Sequence, residues 1–204
     1  HGEKVTVPRW VRGKESATLL TPRARALPMM GLGGSVGTPG KGITADVLVV
    51  NSFEDLKAKA AQAKGKIVLF NLPFTEYRET VIVRRMGAIE AAKAGAVASL
   101  IRSVGPFSMQ TPHTGNMRYD AKVKRIPHAA LSVEDAMMLA RMQTRGEPIR
   151  IELEMEARTL PPAKSRNVIA DIRGREKPNE IIIVSGHIDS WDVGQGAMDD
   201  GGGC

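Results

Sequence analysis

Apolar and polar residues alternate along residues 149–156, which read IRIELEME. A period of two predicts a β-strand that buries one face and exposes the other. Shorter, mainly apolar runs at 45–50, 66–70 and 96–102 predict three further strands, of which 66–70 is predicted to be buried. These four segments indicate a substantial sheet in the middle of the chain.

Helix-start signals fall between these strands. Ser52 is followed three residues later by an aspartate, and so is Ser132, as in a capping box, and these two helices are predicted to end at Gly65 and near Gly146. A further helix is predicted over about residues 80–93, before a glycine stop. Strands alternating with helices indicate an α/β fold class.

Two segments near the ends follow a different pattern. Residues 5–7 look like a short strand, and Pro161-Pro162 predicts a break. After that break, residues 167–172 and 180–184 are predicted to be neighbouring strands joined by a charged turn. We therefore expect domain boundaries near residues 25 and 160.

Composition and charge narrow the possible partners. The chain has 204 residues, a formal net charge of +7 and one cysteine, so it can form no internal disulfide. Its basic residues are scattered in short groups such as Arg84-Arg85 and are not interleaved with stacking aromatics, which favours a solvated basic surface over a nucleic-acid site. The chain has no apolar run of about 20 residues, so no membrane span is expected.

Candidate chemistry is concentrated after the last predicted strand. Residues 181–184 lead into a loop that carries His187, Asp189 and Asp199, followed by a second aspartate and three consecutive glycines. A histidine that binds a metal needs its ring oriented, commonly by a nearby carboxylate, and a second carboxylate can bridge two ions. The alternative is a polar loop whose aspartates make turn and cap hydrogen bonds.

Two other histidines are candidates of a different kind. His113 lies in a loop rich in proline and glycine, where a surface hydrogen-bonding role is the main interpretation and a substrate contact the alternative. His128 lies between Pro127 and two alanines, and we expect it to be partly buried and structural.

Residues 186–203 resemble the metal-site segment of the M28 family of di-zinc exopeptidases. The resemblance extends upstream and covers nearly the whole chain through the segments AIEAAK (88–93), SLIRSV (99–104), PHTG (112–115) and SVEDA (132–136). It implies that residues 26–158 form the inserted protease-associated (PA) domain, a β-rich α+β domain. Residues 1–25 and 159–204 would be pieces of the α/β/α sheet of the peptidase domain.

The resemblance also assigns roles by position. His187 would bind one zinc ion, Asp189 would orient His187 as part of the catalytic apparatus, and Asp199 would bridge two zinc ions. The peptide bond after Asp199 would be cis, which would give Asp200 a structural role. The general-base glutamate and the remaining zinc ligands would follow the Asp-Asp-Gly-Gly-Gly segment.

On this basis the parent enzyme would hydrolyse small peptides, and the 204-residue chain by itself is expected to be inactive. The resemblance further implies a homodimer and a secreted or lysosomal location, although no signal peptide is visible in this chain. The alternative function is a non-catalytic interaction module formed by the PA-like region.

Overall fold

A computed structural model describes residues 1–204. The chain divides into two compact units. The larger contains Pro8–Pro162, and the smaller contains His1–Val7 together with Ala163–Cys204. The sequence-based boundaries lay near residues 25 and 160. The second of these is close to the observed division, whereas residues 8–25 group with the larger unit.

The chain forms ten strands and five helices. The strands are β1 (Gly2–Val11), β2 (Glu15–Thr21), β3 (Arg25–Ala26), β4 (Met29–Gly31), β5 (Ile43–Val50), β6 (Ile67–Phe70), β7 (Ala98–Arg102), β8 (His128–Leu131), β9 (Arg150–Met155) and β10 (Arg158–Val168). The helices are α1 (Phe53–Ala58), α2 (Ala60–Ala63), α3 (Tyr77–Thr80), α4 (Ile82–Lys93) and α5 (Val133–Thr144). The mixed α/β fold class is confirmed.

The larger unit is built on one eight-stranded sheet with the order β3-β2-β9-β5-β6-β7-β8-β4. The four strands from β5 to β8 are parallel, and the outer strands pair antiparallel to their neighbours. The sheet curls, so that β4 at one edge approaches β2 near the other. The backbone N–H of Gly31 donates to Oε2 of Glu15 at 3.0 Å, which stabilises this approach.

Alternate residues of the central strands build two cores. In β6, Ile67 and Leu69 belong to one cluster, and Val68 and Phe70 to the other, because successive side chains of a strand point to opposite faces. Helix α5 covers the first face, and helices α1 and α4 cover the second. Strand β9 follows the predicted alternation in full, with Ile151, Leu153 and Met155 buried.

The predicted helix starts are confirmed. The hydroxyls of Ser52 and Ser132 accept the backbone N–H of the aspartate three residues on, at 3.1 and 3.0 Å. These bonds satisfy donors that the first turn of a helix leaves unpaired. The predicted helix from Ser52 to Gly65 is divided at Lys59 into α1 and α2, whereas the helix from Ser132 is continuous to Thr144.

Strands β1 and β10 form a separate two-stranded sheet. In the smaller unit the backbone N–H of Ile169 donates to the carbonyl of His1 at 2.9 Å, and the Asn167 amide donates to Glu3 at 2.9 Å. The predicted break at Pro161-Pro162 does not interrupt the strand, because both prolines lie within β10, although the two compact units divide directly after Pro162. A two-stranded ribbon tolerates them, since each strand has a partner on only one side.

The strand predicted at 180–184 was wrong, and the one predicted at 167–172 overlaps a strand only at residues 167 and 168. Strand β10 ends at Val168, and residues 180–184 adopt no regular structure. Ile181, Ile182, Ile183 and Val184 are 81–91% exposed. A strand needs a neighbour to pair with its N–H and C=O groups, and no strand of this chain runs beside residues 180–184.

His128 in β8 is fully buried, deeper than the sequence suggested. Its Nδ1 lies 3.2 Å from the carbonyl oxygen of Ser99, and its Nε2 lies 3.1 Å from that of Arg84. Burial lowers the pKa of His128 from its ordinary 6.5 to about 4, although both carbonyl contacts act to raise it. The ring is therefore neutral in the folded protein at pH 7.

This burial predicts that acid destabilises the larger unit. Below pH 6.5 the unfolded chain binds a proton at His128 that the folded chain accepts only near pH 4. Stability is therefore full above pH 6.5 and falls as the pH drops, by roughly 2–3 kcal/mol at pH 4.5. Urea unfolding followed by the fluorescence of Trp10, in a Trp191→Phe background, measures this loss.

The matched variants are His128→Gln and His113→Gln. The pKa of His113 is also lowered, first by partial desolvation and then by the charge of Arg84, so its smaller effect must be separated. We expect most of the loss between pH 6.5 and 4.5 to disappear in His128→Gln and to persist in His113→Gln. An unchanged pH dependence in His128→Gln would contradict the assignment.

Candidate active site

The predicted metal loop, residues 186–203, lies in the smaller unit and is held by its own backbone hydrogen bonds. The N–H of Gly201 donates to the carbonyl of Gly196 at 2.8 Å, and the N–H of Gly203 donates to that of Asp200 at 2.8 Å. A Cβ at Gly201 would lie 2.6 Å from the Gly196 oxygen, closer than real Cβ atoms come. At this position a glycine is required by the close approach of two backbone segments.

His187 has an oxygen beside each ring nitrogen. Its Nδ1 lies 2.9 Å from the carbonyl oxygen and 3.0 Å from Oδ1 of Asp189, and its Nε2 lies 2.9 Å from Oδ1 of Asp199. The hydrogen bond to the Asp189 backbone, followed by the bond and charge of Asp199, raises the pKa of His187 above its ordinary value. The structure thus brings together the three residues selected from the sequence.

These groups fit part of a zinc site. An imidazole nitrogen and a carboxylate oxygen are ligands that zinc takes, and they are adjacent at His187 Nε2 and Asp199 Oδ1. The other ring nitrogen is already held by Asp189, as metal-binding histidines generally require. In the 204 residues no group of three or more His, Cys, Asp or Glu side chains is placed to hold an ion. The loop therefore offers two ligands.

Asp200 stabilises the metal loop through a hydrogen bond to the His187 backbone. The Asp199–Asp200 peptide bond is cis, as the family resemblance implied, and Oδ2 of Asp200 accepts the backbone N–H of His187 at 3.2 Å. The thiol of Cys204 contacts the His187 carbonyl at 3.4 Å. No local pattern indicated the Cys204 contact, because it joins residues 17 positions apart.

The candidate side chains of the metal loop are exposed to solvent. The side chains of His187, Asp189 and Asp199 are 53%, 88% and 77% exposed. Trp191 is partly buried, whereas its neighbours Asp192 and Val193 are exposed. Solvent therefore reaches both candidate ligands and the carboxylate that orients His187.

One sequence-based interpretation was wrong in the larger unit. Arg84 and Arg85 were expected on a solvated basic surface. Arg85 is exposed, but Arg84 is only 5% exposed and contacts His113, the loop histidine considered above. Nothing in the sequence distinguishes two adjacent arginines, and only the packing of α4 decides which one is buried.

No helix in the structure has both the length and the apolar character needed to cross a membrane.

Known proteins are similar to this chain in sequence and in fold. The model of peptidase family M28 matches residues 167–204, which contain the whole metal loop. The chain is 55% identical to carboxypeptidase Q of Mus musculus over 204 residues, which are 100% of this chain and 43% of that protein. The chain therefore spans less than half the length of the curated relatives it matches.

Solved structures have the same fold. The Peptidase M28 precursor from Shewanella amazonensis SB2B has a TM-score of 0.92 and 38% identity, covering 98% of this chain and 47% of its own. BSAP, a zinc aminopeptidase from Bacillus subtilis, has a TM-score of 0.55 and 22% identity, covering 81% of this chain and 35% of its own, and shows the fold alone. With these matches, the chain belongs to peptidase family M28 and corresponds to part of a carboxypeptidase Q-like protein.

Proposed function

We propose that this chain is part of a zinc-dependent metallo-exopeptidase that hydrolyses small peptides. The observation that supports it best is the arrangement around His187, whose Nε2 faces Asp199 while Nδ1 is held by Asp189. A loop stabilised only by turn hydrogen bonds does not require a histidine oriented from one side and matched with a carboxylate on the other. The relative named above at 55% identity, carboxypeptidase Q of Mus musculus, is an exopeptidase by name.

Each residue has a distinct proposed role. His187 would bind one zinc ion through Nε2, and Asp199 would bridge that ion and a second one. Asp189 would hold the imidazole in the orientation and tautomer that leave Nε2 free for metal. Zinc in such a site polarises the scissile carbonyl and lowers the pKa of water, which is the chemistry that peptide hydrolysis needs.

The proposal also assigns each of the two compact units to a domain of the parent enzyme. The larger unit would correspond to the inserted PA domain and the smaller unit to a piece of the peptidase domain. The 204-residue chain by itself would be inactive, because it offers two ligands where a zinc site needs three or four. A homodimer and a secreted or lysosomal location are expected on the family resemblance.

A zinc titration of the 204-residue chain tests the site directly. We expect weak binding, with a Kd of roughly micromolar or above, because two ligands on an exposed loop hold the ion poorly. Competition with a chromophoric chelator measures the affinity. His187→Ala and Asp199→Ala are each expected to abolish the binding.

Asp171→Asn is the matched control, since it removes an exposed carboxylate of the same unit outside the loop. It should leave the zinc affinity unchanged. Equal zinc affinity in His187→Ala and the unmodified chain would refute the assignment of this loop as the metal site. Peptidase activity in the 204-residue chain would refute its proposed inactivity.

A further inference from the structure

The sheet of the larger unit has a gap beside the first half of β5. Strand β5 begins at Ile43, but its parallel partner β6 begins only at Ile67, which lies opposite Val47. Residues 43–46 therefore have a paired strand, β9, on one side only. A strand edge of this kind presents backbone groups with which another chain can pair.

Thr44 carries the unpaired backbone groups of this edge. In an antiparallel pair, alternate residues turn both N–H and C=O toward the partner strand. The N–H of Val47 donates to the carbonyl of Ile149 at 2.9 Å, so Ile43 and Ala45, which lie four and two positions earlier, also face β9. The N–H and C=O of Thr44 then point to the opposite side, where no strand pairs with them.

A groove of about 580 Å³ lies along this edge, within the range of about 300–1,000 Å³ that is typical of ligand pockets. Residues 43–45 line it together with residues 36–39 and 124–127. Val97 adds apolar surface from the start of β7, and no aspartate or glutamate lines the groove. The groove thus combines an open strand edge with apolar side chains.

The walls of the groove are fixed by hydrogen bonds. The hydroxyl of Tyr119 accepts the backbone N–H of Val36 at 3.0 Å and donates to the carbonyl of Ile126 at 2.7 Å, so it joins two of the lining segments. The backbone N–H of Thr38 donates to the carbonyl of Met155 at 2.9 Å, which ties the loop before β5 to the end of β9. A groove that is formed before binding needs little ordering when a ligand enters.

The charge along the groove is positive. Lys124 and Arg125 line it, both are exposed, and neither forms an ion pair with an aspartate or glutamate. Lys64 is also exposed and adjoins Gly65, another lining residue. Arg125 packs over the ring of Tyr119, 5.5 Å from the ring centre, which holds the guanidinium at the rim. A peptide that carries carboxylates complements this surface.

We propose that the groove beside β5 binds an extended peptide segment of a partner protein in which acidic and apolar side chains alternate. The peptide backbone pairs with Thr44 as an added strand, and alternate apolar side chains enter the groove. The carboxylates meet Lys124 and Arg125 at the rim. The groove belongs to the larger unit alone, so this inference does not depend on the proposed metal chemistry.

The competing explanation is a solvated basic surface beside a gap between loops. Such a surface attracts anions in proportion to their charge and without regard to their backbone. Binding as an added strand depends in addition on the N–H groups of alternate peptide residues, because successive N–H groups of a strand point to opposite sides. The two explanations therefore differ in a comparison of peptides that carry the same charge.

The test is an NMR titration of the isotope-labelled 204-residue chain with acetyl-Glu-Val-Glu-Val-Glu-amide. We expect saturable shifts centred on Thr44, Gly65 and residues 124–126, with a Kd on the order of 0.1–1 mM. Two isomers of this peptide, N-methylated at both valines or at the last two glutamates, test the pairing. One should bind about 10-fold more weakly than the unmodified peptide and the other within about twofold of it. Equal affinity of the two isomers would overturn the proposal.

Lys124→Glu is the decisive variant, because Lys124 is exposed and its replacement leaves the core intact. Reversing this charge should weaken peptide binding roughly 3- to 10-fold. Arg78→Glu is the control, since it makes the same charge change on α3, which follows the opposite end of β6, and should leave the affinity within about twofold.

Three further outcomes contradict the proposal. They are an unchanged affinity in Lys124→Glu, equal affinity for acetyl-Lys-Val-Lys-Val-Lys-amide, and shifts that do not saturate at about 10 mM peptide. Tighter binding of vesicles that contain phosphatidylserine to the same residues would assign this surface to membranes and overturn it as well.

Discussion

Replacing His187 with alanine, in the protein extended to the length of its relatives, is expected to reduce peptidase activity at least about 1,000-fold. The imidazole Nε2 is one of two candidate zinc ligands in this chain, and alanine leaves that position without a donor atom. Loss of a metal that polarises the substrate costs several kcal/mol of transition-state stabilisation, and each 1.36 kcal/mol is tenfold in rate.

Asp189→Asn provides a graded comparison in the same protein. Asp189 contacts His187 and is proposed to orient it without binding the metal. The Asp189→Asn variant should therefore lose less than His187→Ala, about 10- to 100-fold in activity or zinc affinity. The measurements are kcat/KM on a dipeptide and the zinc content of the purified protein. Asp171→Asn, outside the loop, should match the unmodified enzyme. Full activity in His187→Ala would remove the basis for the metal assignment.

The second large effect concerns the boundary of the larger unit. Residues 8–162 expressed alone are expected to unfold cooperatively, whereas residues 26–158 are expected not to fold stably. The shorter piece lacks β2, which pairs with β9 over six residue pairs and contributes Ala17 and Leu19 to the core. Its removal turns β9 into an unprotected edge strand.

The shorter piece also loses Arg25, whose Nη2 lies 2.8 Å from Oδ1 of Asp135. Asp135 is 1% exposed, so its carboxylate would lose its only recorded cationic partner within the fold. Loss of a strand and a charge partner together is comparable to the roughly 5–15 kcal/mol that stabilises a typical domain. Urea unfolding of the two pieces, followed by circular dichroism, measures the difference. Equal stability would show that β2 is dispensable.

Sequence patterns predicted the elements that are stabilised by local hydrogen bonds or by uniform burial. The caps at Ser52 and Ser132 involve residues only three positions apart, so the signal lies within one short segment. The alternation from Ile149 onwards was equally reliable, because β9 has one buried and one exposed face along its whole length. Such patterns do not depend on which strand is the neighbour.

The failures occurred where pairing or packing over long distances decides the outcome. Residues 180–184 have the composition of a buried strand, yet they remain irregular because no strand of this chain lies alongside. Strand β2 joins the larger unit through pairs with residues 129–140 positions away. The burial of Arg84 beside an exposed Arg85 depends on how α4 packs on the sheet.

The amino-acid sequence by itself determined the α/β class and the positions of the helix caps, and it pointed to His187, Asp189 and Asp199 as candidate site residues, because each of these signals is encoded in a short segment of chain. Only the tertiary structure decided that the eight strands curl into one sheet, that the larger unit begins at Pro8, and that Arg84 is buried with Tyr77 and His113 around it. Most of these contacts join residues far apart in the chain, and their free energy arises only once the intervening chain has folded.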